Sequence, residues 1–240
     1  MDNGLIVKST NFSDLNYGDR VYLYGTADGD AYQSAVTKLQ AGEQAVLTLQ
    51  SIVTGGTFQT SSGVYNDPED YETELENHVS SAISDLEWCG YGSFGNGYLN
   101  FTVTGDYYVV KKSGSNSTSL VPVDFTFVAK TIDAANKKVE LVLVYDNNES
   151  QCVDAEGKLK DGYTKYSNSA LPLSYELLDL YYELSSQGVA DTDEIELSVY
   201  YVTNNSEAGD VKEVCSSSEA LTGMYSGKNY FTLASLKKHY

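Results

Sequence analysis

Apolar side chains recur at every second position along five stretches of this chain, a period that fits the pleat of a half-buried β-strand. Val21 and Leu23 alternate with Arg20, Tyr22 and Tyr24, and Leu47 and Leu49 alternate with Thr48 and Gln50. Leu99, Phe101 and Val103 oppose Asn100, Thr102 and Thr104. Val121, Val123, Phe125 and Phe127 oppose Asp124 and Thr126, and Ile195, Leu197, Val199 and Tyr201 oppose Glu194, Glu196 and Ser198. In VELVLVYD, residues 139–146, both faces are apolar, which predicts a central strand covered on both sides. Polar clusters such as KKSGSNSTS (111–119) and YDNNES (145–150) separate the runs as turns or loops. The fold class is therefore mainly β, in sandwiches or barrels.

Two segments leave this pattern. In NDPEDYETELENHVSSAISDLEW (66–88), Asp67 can cap a helix and Pro68 suits its first position. Tyr71, Leu75, Val79, Ala82, Ile83 and Leu86 follow at helical spacing, which predicts one amphipathic helix. In LPLSYELLDLYYELSSQG (171–188), Leu173, Leu177, Leu180, Tyr181 and Leu184 fit a helical stripe, while Tyr175, Leu177 and the aromatic richness also suit a strand.

At 240 residues the chain can bury a core without staples, and its 41% hydrophobic content lies above the range of disordered chains. With 34 acidic against 15 basic residues and a net charge of −19, its surface repels nucleic-acid phosphates and anionic headgroups. Nucleic acid is excluded as a partner. Cys89, Cys152 and Cys215 stand far apart without CxxC or Cys/His spacing, so no zinc site is indicated and their disulfide pairing stays open. No stretch is apolar over the roughly 20 residues of a membrane helix, and MDNGLIVK has neither a basic n-region nor an h-region. The 21 tyrosines, 20 glycines, many Ser, Thr and Asn and only 2 methionines favour an exported β-protein whose signal precedes this sequence over a cytosolic enzyme.

Catalytic patterns are thin. Neither His78, on the predicted helix, nor His239, near the end, is placed to serve a Ser or Cys nucleophile. The acids of DTDEIE (191–196) read as a turn and the solvated face of a strand. DGD (28–30) and DNNES (146–150) offer oxygen ligands but lack the spacing of a calcium loop, so turn chemistry is the default reading. No glycine-rich phosphate loop occurs, and no cofactor or metal is expected. Sequons at Asn11, Asn100, Asn116, Asn148 and Asn204 could carry glycans in a eukaryotic secretory protein, and they also arise by chance in a chain rich in Asn, Ser and Thr.

The tyrosines are the distinctive feature. The pairs Tyr107–Tyr108, Tyr181–Tyr182 and Tyr200–Tyr201 place one ring on each face if they lie in strands. Exposed rings suit protein contacts and sugar stacking, whereas cross-strand pairing on a wet sheet face is the plainer reading. Trp88, the single tryptophan, stands with Tyr91 and Tyr98 at the entry to the 99–104 strand, and these three are the candidate ligand-binding residues. A tryptophan at such a boundary more often pins two elements together.

Three pieces of the chain resemble the NigD-like family of Bacteroidetes envelope lipoproteins. YGDRVYLYGT (17–26) resembles the strand of its N-terminal OB-like barrel. EWCGYGSFGNGYLNFTVT (87–104) resembles the tryptophan, glycine turn and strand that enter its C-terminal β-sandwich, and DEIELSVYYV (193–202) resembles a late strand. The resemblance implies a small OB-like barrel over residues 1–65, a helical connector over 66–86, and a β-sandwich over 87–240. The region from Trp88 to Tyr98 would then be the hinge where the two domains meet. The family's opening barrel strand, signal peptide and lipidated cysteine would fall ahead of Met1, and residues 147–170 are longer than its pattern. The implied function is that of a non-catalytic, lipid-anchored envelope protein, periplasmic or at the cell surface, of unknown molecular role, and the tyrosines add to this the expectation of a protein or glycan partner. Two rivals are a carbohydrate-active hydrolase using an Asp/Glu pair and a fimbrial or adhesin subunit that exchanges a strand.

Overall fold

The computed structural model describes residues 5–8, 21–41, 43–62, 67–78, 81, 83–88, 94–95, 97–112, 114, 117–204, 212–216 and 230–237. The chain is mainly β, as its alternation predicts, with three sheets and a few short helices. In chain order the first elements are β1 (Leu5–Lys8), β2 (Val21–Ala27), α1 (Gly29–Gln40), β3 (Ala45–Thr57) and β4 (Gln59–Ser62). A single 3-10 turn, Pro68–Asp70, leads into α2 (Tyr71–Asn77). Next come β5 (Ile83–Trp88), β6 (Phe94–Gly95), β7 (Tyr98–Lys111), β8 (Thr118–Leu120), β9 (Asp124–Asp133) and β10 (Lys138–Asp146). The last elements are α3 (Glu149–Cys152), β11 (Tyr163–Glu176), α4 (Leu178–Ser186), β12 (Glu194–Asn204), β13 (Lys212–Ser216) and β14 (Tyr230–Thr232), followed by a 3-10 turn at Leu233–Leu236.

Two of the sheets form a sandwich. One has the order β13-β12-β10-β9, with β14 beside β12; the other has the order β4-β11-β7-β5, with β6 and β8 beside β7. Their inner faces share one core. Leu99, Phe101 and Val103 of β7 and Leu173 and Tyr175 of β11 meet Phe125 and Phe127 of β9, Leu141 and Leu143 of β10 and Leu197 of β12. β10 lies between β12, parallel to it, and β9, antiparallel to it. It is the central strand predicted from its apolar faces: Leu141 and Leu143 enter the sandwich core, while Val142 and Val144 pack with Leu75 and Tyr71 of α2.

The helix expected over 66–88 is shorter than its spacing suggests. Asp67 does cap, its Oδ1 accepting from the Glu69 N–H at 3.1 Å, and Pro68 occupies the first turn. The helix ends at Asn77, and His78, extended and partly exposed, lies just beyond it. Residues 83–88 are instead β5, paired with β7. A register shift between Ile83 and Asp85 explains the misleading spacing, because the bulge turns Ile83 and Leu86, three positions apart, to the same inner face. β5 and β6 both pair with β7, so the strands on either side of the segment from Trp88 to Tyr98 belong to one sheet.

The 171–188 segment is strand and then helix. Leu171, Leu173 and Tyr175 keep period two along β11, then Leu177, Leu180 and Leu184 take helical spacing, and all six enter the sandwich core. Gly188, with φ +88°, ends α4 in the left-handed region while the Val189 N–H reaches the Leu184 carbonyl at 3.1 Å.

Within residues 1–65, β1 runs parallel and β2 antiparallel to β3, and β4 joins the sandwich beside β11. DGD (28–30), expected to be a turn, starts α1: Asp28 Oδ1 accepts from the Asp30 and Ala31 N–H groups, each at 3.1 Å. Ala35 of this helix packs with Ala45 and Leu47 of β3 in a small core of its own.

Candidate binding surface

β7 and β11 are the longest strands of the sandwich, and both run past the end of its core. The excess length makes an arm, in which Tyr107 faces Tyr166, Tyr108 faces Lys165 and Val110 faces Tyr163. Between Tyr166 and Ser169 the register shifts, and Asn168 takes a φ of +47°. This bulge separates the arm from the part of β11 that lines the core.

The two faces of the arm differ. On one, Tyr108 is fully buried with Val121 of the following loop and Cys152 of α3. Its hydroxyl donates to Glu149 Oε1 at 2.5 Å. Burial, reinforced by that carboxylate, raises the phenol pKa. Lys165 lies over the Tyr108 ring, 2.7 Å from Asp106 Oδ2 and 3.8 Å from Glu149 Oε1. The second Asp106 oxygen accepts from the Asn168 N–H of the bulge at 3.0 Å, and Asn168 Oδ1 accepts from Ser84 Oγ of β5 at 2.6 Å. Although burial opposes it, the hydrogen bonds from Lys165 and from the Asn168 N–H, with the Lys165 charge, hold Asp106 below the usual carboxylate range.

On the other face, Tyr107 and Tyr166 continue the inner face of the sheet beyond the core. Their rings stack 5.2 Å apart and 4° from parallel. Tyr107 packs against the edge of the core, whereas Tyr166 is 44% exposed. Residues 164–168 are all exposed. Tyr32, Tyr166, Tyr182 and Tyr230 are exposed, and the ring of Tyr166 is held in a parallel stack.

The sequence-derived candidates are not gathered here. Trp88 ends β5 with its backbone opposite Phe101, Tyr91 lies outside the described residues, and Tyr98 is half-buried between Gly95 and Glu176. Of the tyrosine pairs, Tyr107 and Tyr108 occupy opposite faces as period two requires, and so do Tyr200 and Tyr201. Tyr181 and Tyr182 fall in α4, where Tyr181 meets the core and Tyr182 is exposed. Tyr166 was not singled out from sequence, because only its pairing with Tyr107 across the sheet, 59 positions away, marks it.

Acid–base chemistry finds little support in the described residues. The carboxyls with displaced pKa, those of Asp106, Asp133, Glu140, Asp191 and Asp193, are all lowered, chiefly by hydrogen bonds and neighbouring lysines that outweigh any burial. A glycosidase acid needs the opposite shift. Among the described residues no group of three or more His, Cys, Asp or Glu side chains could hold a metal ion. No helix among them is long and apolar enough to cross a membrane. Cys152 is a buried free thiol, and burial raises its pKa. The sequon at Asn100 is closed: this side chain is buried, and its Oδ1 accepts from Ser174 Oγ at 2.8 Å.

Comparison with known proteins gives a fold. No family model matches the chain, and no curated protein matches it in sequence. An uncharacterized protein from Parabacteroides merdae has a similar structure. The two share 17% identity with a TM-score of 0.51, over 95% of this chain and 88% of the other. A protein of unknown function from Bacteroides vulgatus is similar over 88% of this chain and 78% of its own, at 14% identity and a TM-score of 0.38. A NigD-like immunity protein from Bacteroides caccae is also among the structural neighbours. It shares 15% identity with a TM-score of 0.36, covering 82% of this chain and 70% of the other. The likeness to the Parabacteroides merdae protein, at that identity, is one of fold alone.

Proposed function

We propose that this is a non-catalytic protein of the bacterial cell envelope that holds a partner on the tyrosine face of the β7–β11 arm. The observation that carries the reading is the Tyr107–Tyr166 stack, an exposed aromatic ring made rigid before any partner arrives. Preorganisation matters because ordering a mobile side chain costs free energy on binding. The Asp106 contacts add to it from the opposite face by fixing the bulge beside Tyr166. The envelope location is supported by the composition and by the resemblance of the sequence to NigD-like lipoproteins. Trp88, Tyr91 and Tyr98 remain a second proposed contact region at the β5–β7 connection.

Strand exchange is the less favoured reading. The β11 backbone left free by β4 contains Lys165, the bulge and Pro172, which has no N–H to offer a new strand; these are features of a guarded edge.

The test is a photoreactive benzoylphenylalanine placed at position 166 and, separately, at position 182, irradiated in intact cells. The arm reading expects an adduct from position 166 that position 182 does not give. Identical adducts from both positions, or none from 166, would overturn it.

A further inference from the structure

The tyrosine face of the arm carries chemistry that narrows the partner. We propose that Tyr166 is a stacking platform for an uncharged polysaccharide, an inference that rests on the arm being the binding surface. The charged side chains nearest Tyr166 on these strands are kept off the platform, and the charge that β7 does place on this face, the exposed Lys111, stands four positions beyond Tyr107. Lys165 turns to the opposite face, where Asp106 and Glu149 hold it, and Asp106 turns the same way. What β7 and β11 present beside Tyr166 is Tyr107, Val109 and Thr164, none of them charged.

Hydroxyls are supplied as well. Thr164 lies two residues from Tyr166 on the same face, and among the described residues neither its hydroxyl nor that of Tyr166 has a protein partner. A rigid ring face flanked by free hydroxyls is complementary to a sugar ring, whose C–H face is apolar and whose rim is polar.

Charge and size choose between partners. The net charge of −19 disfavours polyanions such as uronic-acid polymers, and the single lysine that β7 sets on this face, Lys111, is four positions from Tyr107. A stable protein contact needs about 800 Å² per partner with an apolar centre. Here the exposed run 164–168 offers one aromatic ring among Thr, Lys, Ser and Asn.

The experiment is affinity electrophoresis of the full chain in native gels containing a soluble β-glucan, a galactomannan, starch, pectin or hyaluronan. The wild type, Tyr166→Ala and Tyr182→Ala are run side by side, with unfolding curves to show that each variant is folded. At least one uncharged polymer should retard the wild type and Tyr182→Ala, with about tenfold weaker retardation of Tyr166→Ala. Retardation by the acidic polymers alone, by none of the panel, or equally for Tyr166→Ala would overturn the saccharide assignment. If position 166 still gives its specific photo-adduct in that event, the arm reading survives and its partner is a protein.

Discussion

Replacing Phe101 by alanine tests the sandwich where its two sheets meet. Phe101 is fully buried on β7, and its ring centroid lies 6.1 Å from that of Phe125 and 5.5 Å from that of Phe127, both on the facing sheet. Phe127 in turn meets Tyr175 of β11 edge-on at 4.9 Å, so four rings form one contact across the interface. Truncating a buried phenylalanine costs about 3–5 kcal/mol, through lost transfer free energy and the cavity left behind. Because two ring contacts go with it and strands on both sides resist collapse, the expected loss is toward the upper end, about 4–5 kcal/mol. For a chain of this size each kcal/mol lowers Tm by about 2–4 °C, so the midpoint should fall by roughly 8–20 °C. Phe101→Leu, which keeps much of the volume, should cost about 1.5 kcal/mol or less. Urea unfolding followed by tyrosine fluorescence and far-UV circular dichroism measures both variants. A loss under about 2 kcal/mol for Phe101→Ala with an unchanged m-value would refute the placement of this ring at the centre of the inter-sheet core.

Other predictions concern the arm. Tyr108→Phe keeps the buried ring but loses the hydrogen bond to Glu149, and because water can reach that carboxylate the expected cost is about 1 kcal/mol by urea unfolding; a loss above about 3 kcal/mol would contradict it. Asp106 has a lowered pKa, so its contribution is present above its unfolded value near pH 4 and is lost as pH falls through the folded value. Asp106→Asn should therefore reduce stability at pH 7 by about 1 kcal/mol or less, because the ion pair is partly solvated, and the two proteins should converge near pH 2. A difference that grows on acidification would show the sign to be wrong. Cys152, buried with a raised thiol pKa, should resist maleimide in the native protein and react after unfolding, as mapped by peptide mass spectrometry; native-state labelling at the rate of a free thiol would exclude the packing of α3 against Tyr108 and Val121.

The alternation of Leu99 to Val103, of Phe125 to Phe127 and of Ile195 to Val199 was enough to assign strands and to say which side chains face inward, because the pleat repeats locally every two residues. The doubly apolar run 139–146 likewise declared its central position. Spacing failed at Ile83 and Leu86, where a bulge in one strand copies the three-residue step of a helix, and it missed α1, whose apolar stripe is short. The candidate surface was legible only in half. The Tyr107–Tyr108 pair announced two faces, but nothing near Tyr166 in the sequence says that it will stack on Tyr107, or that Lys165 will be drawn to the opposite side by Asp106 and Glu149. By itself the sequence determined what is periodic and local: strand class, inward faces, the Asp67 cap and an acidic surface hostile to polyanions. Tertiary structure alone decided sheet order, the bulges and the tyrosine platform, because these depend on register between segments far apart in the chain, which is set by the packing of the whole core.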